Sequence, residues 1–200
     1  AGRITIDGVD IRDLSQHKLR SLLGYVPQKA VLFSGDIASN LKFGGTWQDG
    51  ASDITDSSME EAARIAQATE FIESKTEKYH SGISQGGTNV SGGQKQRLSI
   101  ARAIAKSPKI YLFDDSFSAL DYKTDVTLRR ALREKTGDAT VIIVAQRIST
   151  ILNADRIIVL DDGKIAGMGT HRELLRECEA YREIARSQLS EAELKGGAAV

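Results

Sequence analysis

The run Lys109-Ile110-Tyr111-Leu112-Phe113-Asp114-Asp115 constrains the fold more than any other stretch of the chain. Four apolar residues in succession suit a strand buried on both faces of a parallel sheet. Two carboxylates then fall at the strand's carboxyl end, where open α/β sheets hold their ligands. Asp114 suits Mg²⁺, an ion that takes one or two protein carboxylates and fills its shell with phosphates and waters. Asp115 follows where phosphoryl transfer needs a base or a water-orienting group.

A second stretch supplies the anion site such an ion would accompany. Residues 90–97 read Val-Ser-Gly-Gly-Gln-Lys-Gln-Arg. Ser91 and Gln94 have the spacing of a capping box. The helix they open continues through Leu98, Ala101, Ile104 and Ala105 at helical spacing. Gly92 and Gly93 leave the first turn bare, so another surface can approach its free N–H groups. A bare helix start beside a hydroxyl and an amide favours an anion, phosphate above all.

The rest of the chain alternates in the same manner. Residues 3–7 alternate apolar and polar, as a half-buried strand does. A short helix from Ser15 to Leu22 leads into a strand from Leu23 to Pro27. Residues 34–106 are mostly helical, interrupted by a polar loop from Gly44 to Ser57. Ser58 and Glu61 have capping-box spacing, and Ala62, Ile65, Ala66, Thr69 and Ile72 give an inner helix face. Residues 80–90 form a Gly-rich loop. Beyond Asp115, Asp121 caps a helix carrying Val126, Leu128, Ala131 and Leu132. Buried strands follow at Thr140 to Ala145 and Arg156 to Leu160, and this alternation argues for a parallel sheet. The turn Asp161-Asp162-Gly163 leads into a hairpin arm from Lys164 to Gly169. Thr170 caps a helix bearing Leu174 and Leu175, and Tyr181, Ile184, Ala185 and Leu189 extend its apolar stripe. Cys178 falls on that face, so packing is its expected task. The small, Gly-rich tail from Lys195 to Val200 is expected to be disordered.

In order, these elements resemble the nucleotide-binding domain of an ABC transporter, of the exporter type. Tyr25-Val26-Pro27-Gln28 resembles the Q-loop. Val90 to Gln94 resembles the signature motif, with Val where the family has Leu. Ile110 to Asp114 resembles Walker B, Ser118-Ala119-Leu120-Asp121 the D-loop, and Val144 to Arg147 the segment of the H-loop. The likeness covers nearly all of residues 2–189. It implies an α/β, P-loop NTPase-like fold with a mostly parallel sheet and an inserted helical subdomain. The implied division is a partial core with the Q-loop over 1–33 and a helical subdomain over 34–106. A RecA-like core over 107–189 and a flexible tail over 190–200 complete it.

The resemblance also assigns roles. ATP and Mg²⁺ are the implied cofactors. Asp114 and Gln28 would hold the metal, and Asp115 and Gln146 would be catalytic. Gln28, Ser91, Gly92, Gly93, Gln94 and Asp121 would bind nucleotide. The family works as head-to-tail pairs, each ATP lying between one chain's Walker motifs and the other chain's signature. Partners would be a second ABC subunit and the transmembrane domains of a transporter. Residues Gln85 to Asn89, which lack the acidic and arginine-bearing pattern of exporters, would touch those domains. The expected place is the cytoplasmic face of a membrane.

Two departures bear on mechanism. Asp115 stands where the family has Glu, and Gln146 where it has His. Asp is shorter by about 1.5 Å, and a displacement of about 1 Å can cost on the order of a hundredfold in rate. Gln never carries the positive charge available to His. Both changes would weaken hydrolysis and should leave binding largely intact. A nearly intact signature beside an impaired site of its own resembles the degenerate-site subunit of a heterodimeric exporter. A third departure is that the chain holds no Gly-x-x-x-x-Gly-Lys-Ser/Thr loop; its one Gly-Lys pair, Gly163-Lys164, is followed by Ile165. The resemblance places that loop, and the aromatic residue that stacks on adenine, upstream of Gly2 to Gly8. The chain is thus expected to be a fragment cut after the loop, binding ATP poorly by itself.

Taken singly, each residue has a plainer reading. Gln28 can be a loop residue, Asp115 and Asp121 caps, and Gln146 a surface amide. His17, His80 and His171 have no ligand-like spacing and read as structural or exposed. Two other classes also remain. A non-transport ABC ATPase would carry long heptad runs, which are absent. A nucleotide-sensing or dimerising module that never hydrolyses is compatible with Asp115 and Gln146.

Composition sets outer limits. Lys and Arg together number 27 and so do Asp and Glu, which gives no electrostatic footprint for nucleic acid. The single cysteine rules out an internal disulfide and fits a reducing compartment. No run approaches the ~20 apolar residues of a membrane-spanning helix, and no signal peptide is evident.

Overall fold

The computed structural model describes residues 2–45, 47–48 and 51–190. The expected tail beyond Ser190, and Thr46, Asp49 and Gly50 of the expected polar loop, lie outside the described residues. The chain divides into two compact units, Ala1–Val144 and Ala145–Val200.

The first unit opens with a hairpin of β1 (Thr5–Ile6) and β2 (Val9–Asp10) rather than one half-buried strand. Asp7 and Gly8 at its turn both take positive φ, 50° and 82°. Asp-Gly is a favoured pair for that geometry. Ile4 and Val9 are exposed, so the alternation there does not mark a core face. Ser15 caps α1 (Gln16–Leu22), which leads straight into β3 (Leu23–Val26).

Next come β4 (Gly35–Asp36), α2 (Ile37–Lys42), β5 (Trp47–Gln48), β6 (Ala51–Ser52), α3 (Asp56–Ile65), α4 (Thr69–Glu73) and β7 (Gly82–Ile83). The β7 strand pairs antiparallel with β4, inside a segment whose pattern is otherwise helical. The cap of α3 is Thr55, not Ser58. The Thr55 hydroxyl accepts the Ser58 N–H at 3.2 Å, and the Ser58 hydroxyl turns back to the Thr55 carbonyl at 2.9 Å. Ser58 therefore lies within the first turn, and Glu61 pairs instead with Arg64 at 2.8 Å.

The unit closes with α5 (Gly92–Ala105), β8 (Ile110–Asp114), α6 (Tyr122–Lys135) and β9 (Thr140–Val144). Strands β3, β8 and β9 form a parallel sheet in that order. Its register sets Gly24 beside Tyr111 and Val141, and Val26 beside Phe113 and Ile143. Val26, Tyr111 and Phe113 lie in a core with Leu98, Ile100 and Ile104 of α5 and Leu128 of α6, and Ile143 packs against it. The opposite face carries Tyr25, Leu112 and Ile142, of which Tyr25 and Ile142 are exposed. The sheet is thus buried on one face, not both. The expectation of a buried strand over 140–145 also fails, because β9 is the sheet's edge and Val141, Ile142 and Val144 are all exposed.

The second unit holds α7 (Ile148–Ile151), the antiparallel pair β10 (Ile157–Asp161) and β11 (Lys164–Gly169), then α8 (His171–Glu177) and α9 (Glu179–Gln188). Asp162 and Gly163 make the expected turn, and Thr170 with Glu173 forms a capping box on α8. Only Ile157 and Val159 of β10 are buried, since the hairpin covers its helices with one face. Cys178 is not within a helix but at the extended junction between α8 and α9. It is still buried, packed with Leu174 and Tyr181. Gly167 is needed opposite it, because a Cβ there would lie 2.8 Å from the Cys178 Sγ. No helix among the described residues is long and apolar enough to cross a membrane.

Candidate nucleotide site

The carboxyl ends of β3 and β8 lie side by side, and four sequence-singled residues meet there. Asp114 is the last residue of β8, and the Tyr25 hydroxyl donates to its Oδ2 at 3.3 Å. Partial desolvation, and then the charge of Asp114, raise the Tyr25 phenol above its ordinary value, so it remains a donor. Gln28, two residues past β3, donates from Nε2 to the Asp115 Oδ2 at 3.3 Å. Asp115 itself sits at φ 43°, in the left-handed region that Asp enters more readily than most residues. Its N–H donates to the Val144 carbonyl at 2.9 Å, and its carbonyl accepts the Ser118 hydroxyl at 2.8 Å. Such a backbone costs on the order of 1–3 kcal/mol and collects at functional sites.

Two buried side chains that sequence reasoning missed tie this corner together. Ser116 is fully buried and donates to the Val26 carbonyl at 2.8 Å. Gln96, 2% exposed, donates from α5 to the Pro27 carbonyl at 3.4 Å. Both brace the stretch just ahead of Gln28. The available signal was a Gln and a Ser placed among apolar neighbours, because a buried polar group needs a partner.

Ser91, Gly92, Gly93 and Gln94 form a separate surface at the start of α5. The capping box closes both ways: the Ser91 N–H donates to Gln94 Oε1 at 3.0 Å and the Gln94 N–H to Ser91 Oγ at 3.3 Å. A Cβ on Gly92 would meet nothing within 4 Å, and one on Gly93 would meet only the Ala119 carbonyl, at 3.6 Å. The free N–H groups of the first turn are therefore accessible from the Gly92 side. Asp121 caps α6, accepting the Thr124 hydroxyl at 2.7 Å and the Thr124 N–H at 3.0 Å. Those two bonds, the hydroxyl's first, hold its carboxyl below the usual range.

Gln146 belongs to the second unit, where its side chain is exposed. Its carbonyl accepts the Gln188 Nε2 at 2.8 Å, while the Gln188 Oε1 accepts the Ile148 N–H at 2.8 Å. One amide thus clamps the backbone on both sides of Arg147. As for the histidines, His171 Nδ1 lies 2.8 Å from the Tyr181 hydroxyl, His80 stands 3.6 Å from Asp36, and His17 is exposed.

Carboxylates at the strand ends of a parallel sheet and a bare helix start in the same unit suit a ligand that carries phosphate and a cation. Residues 1–118 match the ABC transporter family, and the chain belongs to that family. It is 47% identical, over 98% of its length, to an uncharacterized ABC transporter ATP-binding protein of Mycobacterium tuberculosis and covers 33% of it. It is 43% identical, over 94% of its length, to the mitochondrial ATP-binding cassette sub-family B member 10 of Mus musculus and covers 26% of that protein. A solved structure of a bacterial Atm1-family ABC exporter with ATP bound superposes with a TM-score of 0.87 at 38% identity, covering 96% of this chain and 33% of that one. The fold is therefore that of an ABC ATPase, α/β with a parallel sheet. The chain spans a third or less of the length of these relatives.

Proposed function

We propose that this chain is the ATP-binding part of an ABC exporter subunit, which couples ATP binding and hydrolysis at a dimer interface to transport across a membrane. It would lie at the cytoplasmic face, tethered through transmembrane domains. The observation that carries the reading is the pairing of Asp114 and Asp115 at the strand ends with Tyr25 and Gln28.

The donors present fit Mg²⁺, a hard cation that prefers a few oxygen ligands and leaves the rest to phosphate and water. Asp114 and Gln28 would hold it, and when bound it neutralises phosphate charge. Ser91, Gly92, Gly93 and Gln94 would offer hydrogen bonds to a phosphate held by the partner subunit. Asp121 would face the same seam. Asp115 would orient the attacking water from a carboxylate shorter than Glu, and Gln146 would contribute an amide without charge. These two substitutions support a slow site in this subunit and a competent one formed with a different partner chain. Closure of the pair would bring the α5 helix start to nucleotide, and loss of the terminal phosphate would remove that preference for the closed state.

The test is single-turnover ATP hydrolysis by the full-length protein with its partner, before and after Asp115→Glu combined with Gln146→His. The reading expects a gain of tenfold or more. No change would favour a module that senses nucleotide without hydrolysing it. Hydrolysis at an ordinary transporter's rate by the full-length protein purified without a partner would end the slow-site reading.

A further inference from the structure

The first unit contains a cation that the proposed site does not use. Arg102, near the end of α5, is half-buried. Its Nε donates to the Asn40 carbonyl at 2.9 Å, its Nη2 to the Asn40 Oδ1 at 2.7 Å and its Nη1 to the Val31 carbonyl at 3.0 Å. The guanidinium carbon also lies 5.0 Å from the centroid of the Phe33 ring and 5.7 Å from that of Phe43. These acceptors are amide oxygens, not carboxylates. Burial brings the pKa of Arg102 down to about 10, which still leaves it charged at neutral pH.

Asn40 completes the arrangement. It is 2% exposed, and its Oδ1 also accepts the Phe33 N–H at 2.9 Å. Its Nδ2 donates to the Phe33 and Asp36 carbonyls at 2.8 and 2.9 Å. Arg102 and Asn40 thus hold Val31 and Phe33, three and five residues beyond Gln28. Gln96, lower on the same helix, fixes Pro27 on the other side of Gln28. Gln28 is exposed, and its own contact is the one to Asp115. A planar fork that reaches three oxygens and lies against two rings cannot be reproduced by an ammonium.

We propose that Arg102 is a positioning residue for Gln28: it anchors the loop that sets Gln28 against Asp115, and so links that loop to the helix whose start carries Ser91 to Gln94. The inference deepens the proposed ATPase reading and rests on it for its consequence in catalysis, though not for the anchoring itself.

Two measurements on the full-length protein test it. In hydrogen exchange without nucleotide, Arg102→Lys should speed exchange of the Phe33 amide tenfold or more while amides in the middle of α5, such as Ile100, keep their rates. Unchanged exchange at Phe33 overturns the proposal, as does an equal rise throughout α5, which would mark general loosening. The second measurement is a double-mutant cycle on single-turnover hydrolysis at this subunit's own site, in the full-length protein assembled with its partner. Arg102→Lys should lower that rate about tenfold, leave the apparent affinity for ATP within twofold, and add little in a Gln28→Ala background. Additive losses would overturn the link through Gln28. Absence of hydrolysis in the unmodified protein assembled with its partner would defeat the ATPase reading, and the exchange experiment would then decide the anchoring alone.

Discussion

The two units of this chain are held together in different ways. In Ala1–Val144 the decisive polar links join residues far apart in sequence: Ser116 to Val26, Gln96 to Pro27, Arg102 to Val31, and Lys106 to Leu23 at 2.8 Å. In Ala145–Val200 they join neighbours: the Thr170–Glu173 capping box, the hairpin of β10 and β11, and His171 against Tyr181, with the Gln188 clamp as the longer reach. The first arrangement suits a site whose parts come from several strands and helices, because each part is located by a bond to another element. The second suits a support, stable through local geometry and one small core.

That contrast can be broken. Phe113, 1% exposed and 5.1 Å from the Phe117 ring, is central to the first unit's core. Phe113→Ala should destabilise that unit by about 3–5 kcal/mol. Amide exchange in β10 and β11 should meanwhile stay near its original rate. A matching rise in those strands would show that the units unfold together, and the contrast would be lost.

A smaller change sharpens the same point. Ser116→Ala deletes one buried hydroxyl and a bond spanning ninety residues. The expected loss is about 1–2 kcal/mol in urea unfolding, with faster exchange of the amides around Gln28. A neutral result would mean that the long-range links are incidental to the corner they cross.

The smallest expected effect concerns pH in the second unit. Burial, and then the neighbouring Arg172, hold the His171 pKa below its ordinary value of 6.5. The folded state therefore favours neutral imidazole. Its contribution is fully present above about 6.5 and is lost as pH falls toward the lower folded value. Urea unfolding of the second unit at pH 7.5 and 5.5 should show that decline, and His171→Phe should make it shallower. An unaltered slope would remove His171 as its source.

How much of this was legible in the sequence depended on the distance over which each signal acts. The Ser91–Gln94 box, the Thr170 cap, the Asp162-Gly163 turn and the apolar run of β8 are set by residues a few positions apart, and they appear where the pattern places them. The Asp7-Gly8 turn is equally local, but the apolar–polar alternation around it mimics a single strand. The Ser58 cap failed because Thr55, three residues earlier, has the same chemistry and precedes the first turn. The exposure of β9 was not legible: Val141, Ile142 and Val144 record what a strand prefers, not what covers it. Arg102, Asn40, Gln96 and Ser116 were invisible as a network because their partners are set by the fold. Within the candidate site, the pairing of Gln28 with Asp115 and of Tyr25 with Asp114 needed the register of β3 on β8.

The two glycines that open α5 differ in what stands beside them. Next to Gly93 is a carbonyl oxygen, that of Ala119, while the space over Gly92 is empty. Oxygen lone pairs repel an anion, and unpaired amide hydrogens draw it in. For an anion approaching this helix start, the Gly92 flank would be the less repulsive side.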